Sequence, residues 1–316
     1  MVDRGFARGI REVATTSAIF IIELKFITAI VASVSDTEKT KLHSPAERET
    51  SAACTYVEFP SRAPHILCTW ELRIEPGQPT FSQRVIPDGC VDVVWFDRDE
   101  LHVAGPATLP VDVTIPAGTT VVGVRFHPGF GCNALGMPLQ ELLNQSIALA
   151  GVLPNLTDKI LSAQAGVKGA SGRRGLLERA MAGYAEEKVA DDRVLAAVKF
   201  IAEGADSGIE NVAEHVGLCT RQLRRRFHDA VGYGPKTFHR VVRLQRLLTL
   251  LRTRGRGIDL CAAALEAGYA DQAHMTRECG ELAGQSPVNL IAGTAHPTLE
   301  MSDLFNTPKR VLRYAW

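Results

Sequence analysis

NVAEHVGLCTRQLRRRFHDAVGYGP (Asn211–Pro235) and AGYADQAHMTRECGELAGQSP (Ala267–Pro287) are two versions of one pattern. Ile209, Val212, Ala213, Val216 and Gly217 match Leu260, Ala263, Ala264, Ala267 and Gly268 at an offset of 51 residues. Leu223, Phe227, Gly232, Pro235 and Phe238 match Met275, Cys279, Gly284, Pro287 and Leu290 at an offset of 52, so the second turn carries one extra residue. Self-similarity of this kind marks one supersecondary unit used twice. Each copy has a short helix with apolar residues three and four apart and a glycine able to take the positive φ of a sharp turn. A second amphipathic helix follows, which makes a helix-turn-helix.

In the second helix of the first copy, Leu223 and Phe227 are four apart and share the inward face. Arg221, Arg224 and Arg225 then project outward, where a guanidinium fork matches O6 and N7 of guanine and also phosphate. In the second copy Met275 is the inward anchor, leaving Gln272, His274, Thr276 and Arg277 outward. The joining piece from Lys236 to Thr253 has helical spacing with no Gly or Pro inside it. It reads as one helix of about 25 Å, able to set two recognition helices about one DNA turn, roughly 34 Å, apart. Lys236 and Arg240 at its start are candidates for phosphate contacts.

Charge supports this reading locally, although the whole chain has a formal net charge of zero. Between Cys219 and Arg256 there are eleven Arg and Lys residues against a single acid, Asp229. Such a segment gathers polyanions, and its plainer reading is a solvated helix face.

These stretches, with RLQRLLTLL (Arg243–Leu251), resemble the AraC/XylS family of transcription regulators over about a hundred residues. The resemblance implies seven helices and recognition helices in adjacent major grooves of double-stranded DNA. Carried over by position, Thr220, Arg221, Arg224, Arg225, Gln272 and Arg277 face the DNA. Two departures shrink the second copy's core: Cys279 stands where the family usually has Phe, and Ala263-Ala264 where it usually has Ile-Ala. Losing most of a buried aromatic's volume costs on the order of 3 kcal/mol unless the site repacks, so the second motif is expected to contribute less. RVIPDGCVDVVWF (Arg84–Phe96), VAGPA (Val103–Ala107) and GVRFHPGF (Gly123–Phe130) are similar to an N-terminal domain of unassigned function found in a subgroup of these regulators. A domain in that position implies an effector-binding or dimerising role, with RNA polymerase as a further partner.

The 316 residues, 46% hydrophobic and 22% charged, suffice for two domains, and the fold class reads as α+β. Residues 1–53 read as an N-terminal extension and linker. Residues 54–187 read as a β-rich domain, a small antiparallel sandwich or barrel with trailing helices. Residues 191–292 are the all-α domain of two helix-turn-helix motifs joined by a long helix, and 293–316 a tail with little pattern. Strands are expected at Trp70–Ile74, Arg84–Phe96, Leu101–Ala104, Val111–Ile115 and Thr120–Phe126. Helices are expected at Met137–Ala150, Leu156–Ala163 and Gly175–Glu187. The apolar run Val13–Val34 holds Glu23 and Lys25 in its middle, where charge is costly in a bilayer, so a packed helix or an upstream-start extension is favoured over a membrane anchor. The Ser/Thr/Lys/Glu-rich piece Ser33–Ser51 reads as a flexible linker.

Seven dispersed cysteines with no C-x-x-C pair fit a reducing cytoplasm rather than a disulfide framework or a zinc site. His65, His102 and His127 are the histidines of the first domain that could hold a metal, but no H-x-H occurs in the chain, and isolated histidines are more often simply hydrogen-bonded. No metal or cofactor is expected. Cys90 lies between Asp88 and Asp92, and acids suppress the thiolate that catalysis needs; a tight Pro-Asp-Gly turn explains the same residues. Trp70, Trp95, Arg125 and Phe126 could line an apolar effector pocket with one charged anchor, or pack in the core with a surface ion pair. The chain therefore reads as a regulator that acts by binding. An enzyme delivered to DNA by the helical domain, and an interaction module with a decayed DNA-binding unit, are the alternatives.

Overall fold

The alternating segments of the first domain form β1 (Cys54–Pro60), β2 (Ile66–Ile74), β3 (Phe81–Val85), β4 (Val91–Trp95), β5 (Leu101–Ala104), β6 (Val111–Ile115) and β7 (Thr120–Phe126), with β8 (Ser146–Ala148) and β9 (Arg310–Tyr314) completing the set. The computed structural model describes residues 54–77, 81–97, 99–186, 188–204, 208–292 and 310–314, all within one unit. The apolar run Val13–Val34, the linker Ser33–Ser51 and most of the tail lie outside the described residues. Seven strands make an antiparallel sheet in the order β8-β5-β4-β7-β2-β1-β9, and β3 and β6 pair as a second, two-stranded sheet.

Because side chains alternate along a strand, the large sheet has two different faces. Val91, Val93 and Trp95 of β4 and Val122, Val124 and Phe126 of β7 enter a core closed by three helices. These are α1 (Gly131–Leu135), α2 (Pro154–Ala163) and α3 (Gly169–Glu186), and α3 lies across β7 and β2 through Leu177, Met181 and Ala185. The opposite face, with Cys68, Trp70, Leu72, Val94 and Val121, packs against Phe81 and Ile115 of the small sheet.

Several expectations change. The stretch Arg84–Phe96 is two strands rather than one, separated by residues 86–90, where Gly89 takes φ +84. Met137–Ala150 is not a helix: Pro138 and the positive φ of Asn144 break it into two 3-10 turns flanking β8. The tail is not wholly unpatterned, since Arg310–Tyr314 pairs antiparallel with β1 along Cys54–Glu58. Strand β1 is an addition to the expected set, and β2 begins at Ile66, four residues earlier than its pattern suggests.

The second domain has seven helices among the described residues: α4 (Asp192–Ala202), α5 (Ile209–His215), α6 (Thr220–Val231), α7 (Pro235–Arg254), α8 (Leu260–Ala267), α9 (Gln272–Ala283) and α10 (Pro287–Ala292). The glycines at the two sharp turns, Gly217 and Gly268, both take positive φ, 64° and 92°. Helix α7 runs through both halves. Phe238, Val241 and Val242 join the core of α4, α5 and α6, while Leu244, Leu247, Leu248 and Leu251 join that of α8, α9 and α10. At 20 residues it is about 30 Å long.

The two domains meet on residues 86–90. Gln245 of α7 donates to the carbonyl of Pro87 at 2.6 Å, and Gly89 lies against the ring of Phe238. Ile86 packs on the core of the second motif. On the other flank, α6 rests on α1 and on the 3-10 turn Leu139–Leu142.

Candidate nucleic-acid interface

Helix α6 starts on a reciprocal cap. The Cys219 backbone N–H donates to the Gln222 side chain at 3.1 Å, and the Cys219 side chain faces the third backbone N–H of the helix. Leu223 and Phe227 are fully buried, and Phe227 packs on Phe238 with ring centroids 5.6 Å apart. That anchoring turns Arg221, Arg224 and Arg225 to solvent, with Thr220 half-buried at the start of the helix. In α9, Asp271 caps the first turn by accepting from the backbone N–H of His274 at 2.6 Å, and Met275 and Cys279 are fully buried. Gln272, Thr276 and Arg277 are exposed and His274 is half-buried. Three of these four outward groups already have local partners. Gln272 accepts from the Cys261 thiol, Thr276 donates to the Gln272 carbonyl, and His274 accepts at Nδ1 from the N–H of Ala270.

The structure divides the basic segment into two populations. Arg226 donates to Asp191 at 2.7 Å, Arg246 to the carbonyl of Ala202 at 2.7 Å, and Arg254 to Glu266 at 2.7 Å. Arg240 and Arg243 both donate to Glu278, at 2.9 and 2.7 Å, and Arg240 also pairs with Glu281. Arg240, expected to be available to phosphate, is therefore engaged with α9. Among the described residues, Arg221, Arg224, Arg225, Lys236 and Arg277 are exposed and make no ion pair. Between the two recognition helices lies a cleft of about 940 Å³ whose walls carry Arg224, His228, Lys236, His239, Arg243, His274 and Arg277, together with the carboxylates Glu278 and Glu281 that pair with α7. His228, His239 and Glu278 do not stand out in the sequence alone. A signal for Glu278 is nonetheless present: Arg240 and Arg243 are three apart on α7, Glu278 and Glu281 three apart on α9, so each pair shares a helix face.

The four residues expected to line an effector pocket do not come together. Trp95 and Phe126 are fully buried beneath the helices, whereas Trp70 lies in the core on the opposite face of the sheet. Arg125 neighbours Phe126 on β7 and points the other way, toward Trp70. It donates to Asp92 through Nε at 2.9 Å and Nη2 at 2.8 Å, with Asp88 at 3.6 Å and Glu58 at 3.9 Å. Trp70 donates to Asp92 and Tyr56 to Glu58. Burial alone would lower the Arg125 pKa, but Asp92 and Asp88 outweigh it and hold the guanidinium charged. For Asp88 burial wins over Arg125 and raises the carboxyl. The Cys90 thiol is pushed well up by burial and then by Asp88, the opposite of nucleophile activation. Tyr233, from the turn after α6, is buried; burial and then Asp88 raise its phenol, and its hydroxyl has no hydrogen-bond partner. His65 and His127 are held neutral, chiefly by burial. Among the described residues no group of three His, Cys, Asp or Glu side chains could hold a metal, and no helix is long and apolar enough to cross a membrane.

Residues 212–292 match a family model described as "Helix-turn-helix domain". The second domain is an AraC-type helix-turn-helix domain. Residues 60–148 match a model described as "Domain of unknown function (DUF6597)", which gives the first domain a family without a role. With an AraC-type domain at its C-terminal end, the chain is a DNA-binding transcriptional regulator. No curated protein matches it. Among solved structures it is similar to a probable AraC family transcriptional regulator from Rhodopseudomonas palustris CGA009, at 24% identity over 33% of this chain and 98% of that one, with a TM-score of 0.30. It is also similar to ToxT from Vibrio cholerae, at 10% identity over 68% and 97% of the two chains, with a TM-score of 0.39. A third is the AraC-like transcriptional activator CuxR, at 12% identity over 66% and 85%, with a TM-score of 0.28.

Proposed function

We propose that the AraC-type domain reads an operator with α6 and α9 in successive major grooves, and that the first domain governs this reading through residues 86–90. The observation that carries the DNA-reading face is the division of the basic segment. The arginines on the inward and connecting faces have intramolecular partners, whereas Arg221, Arg224, Arg225, Lys236 and Arg277, on or beside the two recognition helices, are exposed with no ion pair. Unpaired, exposed guanidinium groups on a rigid helix suit base edges and phosphates alike. Thr220 at the start of α6 and Gln272, His274 and Thr276 on α9 complete the reading faces. Lys236 is the phosphate contact at the start of α7, and the cleft is where the intervening backbone of the duplex would run.

Control by a small molecule or by self-association would act through the docked interface, because residues 86–90 touch the α7 segments that serve both motifs. The protein works by binding, in the cytoplasm, and contact with RNA polymerase belongs to the same proposal. The test is selection of duplexes from a random-sequence pool by the full chain, followed by hydroxyl-radical footprinting. Two protected segments on one face of the duplex are expected, about 10 base pairs apart. Recovery of no duplex, or protection of one segment alone, would overturn the two-helix reading.

A further inference from the structure

Glu278 sits on the inner side of α9 with its side chain 8% exposed. A carboxylate is rarely so buried unless it is paired. Its Oε1 accepts from Arg240 Nε at 2.9 Å and Arg243 Nη2 at 2.7 Å, with His274 Nε2 at 3.4 Å, and its Oε2 has no hydrogen-bond partner. The two guanidinium groups lower its pKa against the upward push of burial, so it is held as a carboxylate. Glu281, one turn on, takes the other arm of Arg240. Arg243 is fixed in turn, its guanidinium 5.4 Å from the centre of the Tyr269 ring at the turn of the second motif.

These contacts have an uneven consequence for the two recognition helices. Helix α6 is held by large apolar groups, Leu223 and Phe227 against Phe238. Helix α9 has the smaller anchors Met275 and Cys279, facing a first helix that buries three alanines, Ala263, Ala264 and Ala267. Small apolar contacts define an angle less sharply than an aromatic interlock. A charge-assisted fork is directional as well as short.

We infer that Glu278 is a positioning residue: through Arg240 and Arg243 it fixes the angle of α9 on α7 and thereby sets the spacing of half-sites that the two recognition helices accept. Glu278 itself touches no DNA. The inference rests on the two-helix reading above. Removing the carboxylate takes from Arg240 and Arg243 their common partner, which frees α9 to swing and leaves Arg240 only its pair with the exposed Glu281.

The experiment compares the full chain with its Glu278→Gln form on a duplex recovered by the parent from a random pool, and on versions with one base pair inserted or removed between the two protected segments. The parent should lose about tenfold or more in affinity on either altered duplex, the size of one lost base contact. Glu278→Gln should bind all three within about threefold of one another, with a steeper salt dependence because Arg240, left with only the exposed Glu281, can exchange it for phosphate. A role confined to stability would lower affinity on all three duplexes equally. The Arg243→Gln/Glu278→Gln double form, which removes the carboxylate without leaving both arginines unpaired, guards against misfolding and should show the same loss of spacing selectivity. If both variants keep the parent's selectivity, the positioning role is wrong while the DNA reading stands. If the parent recovers no duplex, the DNA reading falls and the inference with it.

Discussion

Gly89 tests whether the two domains are docked as described. Its φ of +84 costs any residue with a Cβ about 1–2 kcal/mol. A Cβ there would also lie 2.8 Å from Cε2 of Phe238, a ring that is 1% exposed and wedged against Phe227. Phe238 cannot retreat without disturbing α6, so the clash adds an overpacking cost of about 1–3 kcal/mol. Gly118 supplies the control, with a similar φ of +77 and nothing within 4 Å of where a methyl would lie. Gly118→Ala should therefore lose about 1–2 kcal/mol and Gly89→Ala about 2–5 kcal/mol in urea unfolding. Trypsin should also cut Gly89→Ala faster within the helical domain, since its core is what the methyl displaces. Equal losses for the two substitutions would refute the docking, because the difference between them reads only the contact with Phe238.

Three further outcomes are expected. Replacing Arg221, Arg224 or Arg225 by Ala should weaken operator binding by about 1–3 kcal/mol for whichever makes a bidentate base contact, with smaller effects from Gln272 and Arg277; a triple arginine variant binding like the parent in fluorescence anisotropy would place the reading face elsewhere. Arg125→Met should destabilise the first domain by about 3–5 kcal/mol in denaturant titrations, because Asp92 is left buried without its counter-charge; an unchanged midpoint would show that the pairing contributes nothing. Burial, with help from His65, depresses the His127 pKa to about 4, below the roughly 6.5 of an unfolded histidine. Between those values the unfolded chain binds the extra proton, so stability should fall as pH drops from about 6.5 toward 4, by on the order of 3 kcal/mol, and the melting temperature of His127→Gln should vary less than the parent's over that window; equal pH dependence of the two forms would refute the assignment.

What could be read from the chain followed from periodicity, and the two periods were not equally informative. In the helical domain a 3.6-residue period names a face, and a repeat repeats the answer: Leu223 and Phe227 inward, Arg224 and Arg225 outward, then Met275 inward and Arg277 outward, as observed. Positive φ at Gly217 and Gly268 follows from the same pattern. In the β-domain a two-residue period says that neighbours diverge, but not which face of a strand another element will cover. Trp95, Phe126, Trp70 and Arg125 look like one aromatic cluster when read along the chain, and the pleat puts them on opposite sides of a sheet. The five residues after Val85 carry no periodicity at all, so a strand pattern runs across them unless the glycine is given its full weight.

The least legible features are those in which one domain completes the other. Pro87, Asp88 and Gly89 read locally as a turn, and locally they are one, with Asp88 accepting from the Cys90 N–H at 2.9 Å. The same residues also give α7 a carbonyl for Gln245 and a flat backbone surface for Phe238. A buried glutamine in the middle of a leucine-rich helix needs a hydrogen-bond partner from outside that helix. Gln245 is 1% exposed between Leu244 and Leu247, so its presence in RLQRLLTLL already required a second surface there. The identity of that surface depended on contacts 158 residues away in sequence, beyond the reach of any local pattern. The position of the wedge is what the proposed control rests on: it touches the helix whose N-terminal half serves the first motif and whose C-terminal half serves the second. A shift of residues 86–90 would therefore be felt by both reading heads together, whereas a shift at the ion pairs of Glu278 would be felt by α9 alone. On the two proposals made above, coupling at the first place would change whether the domain binds, and coupling at the second would change which spacing it accepts.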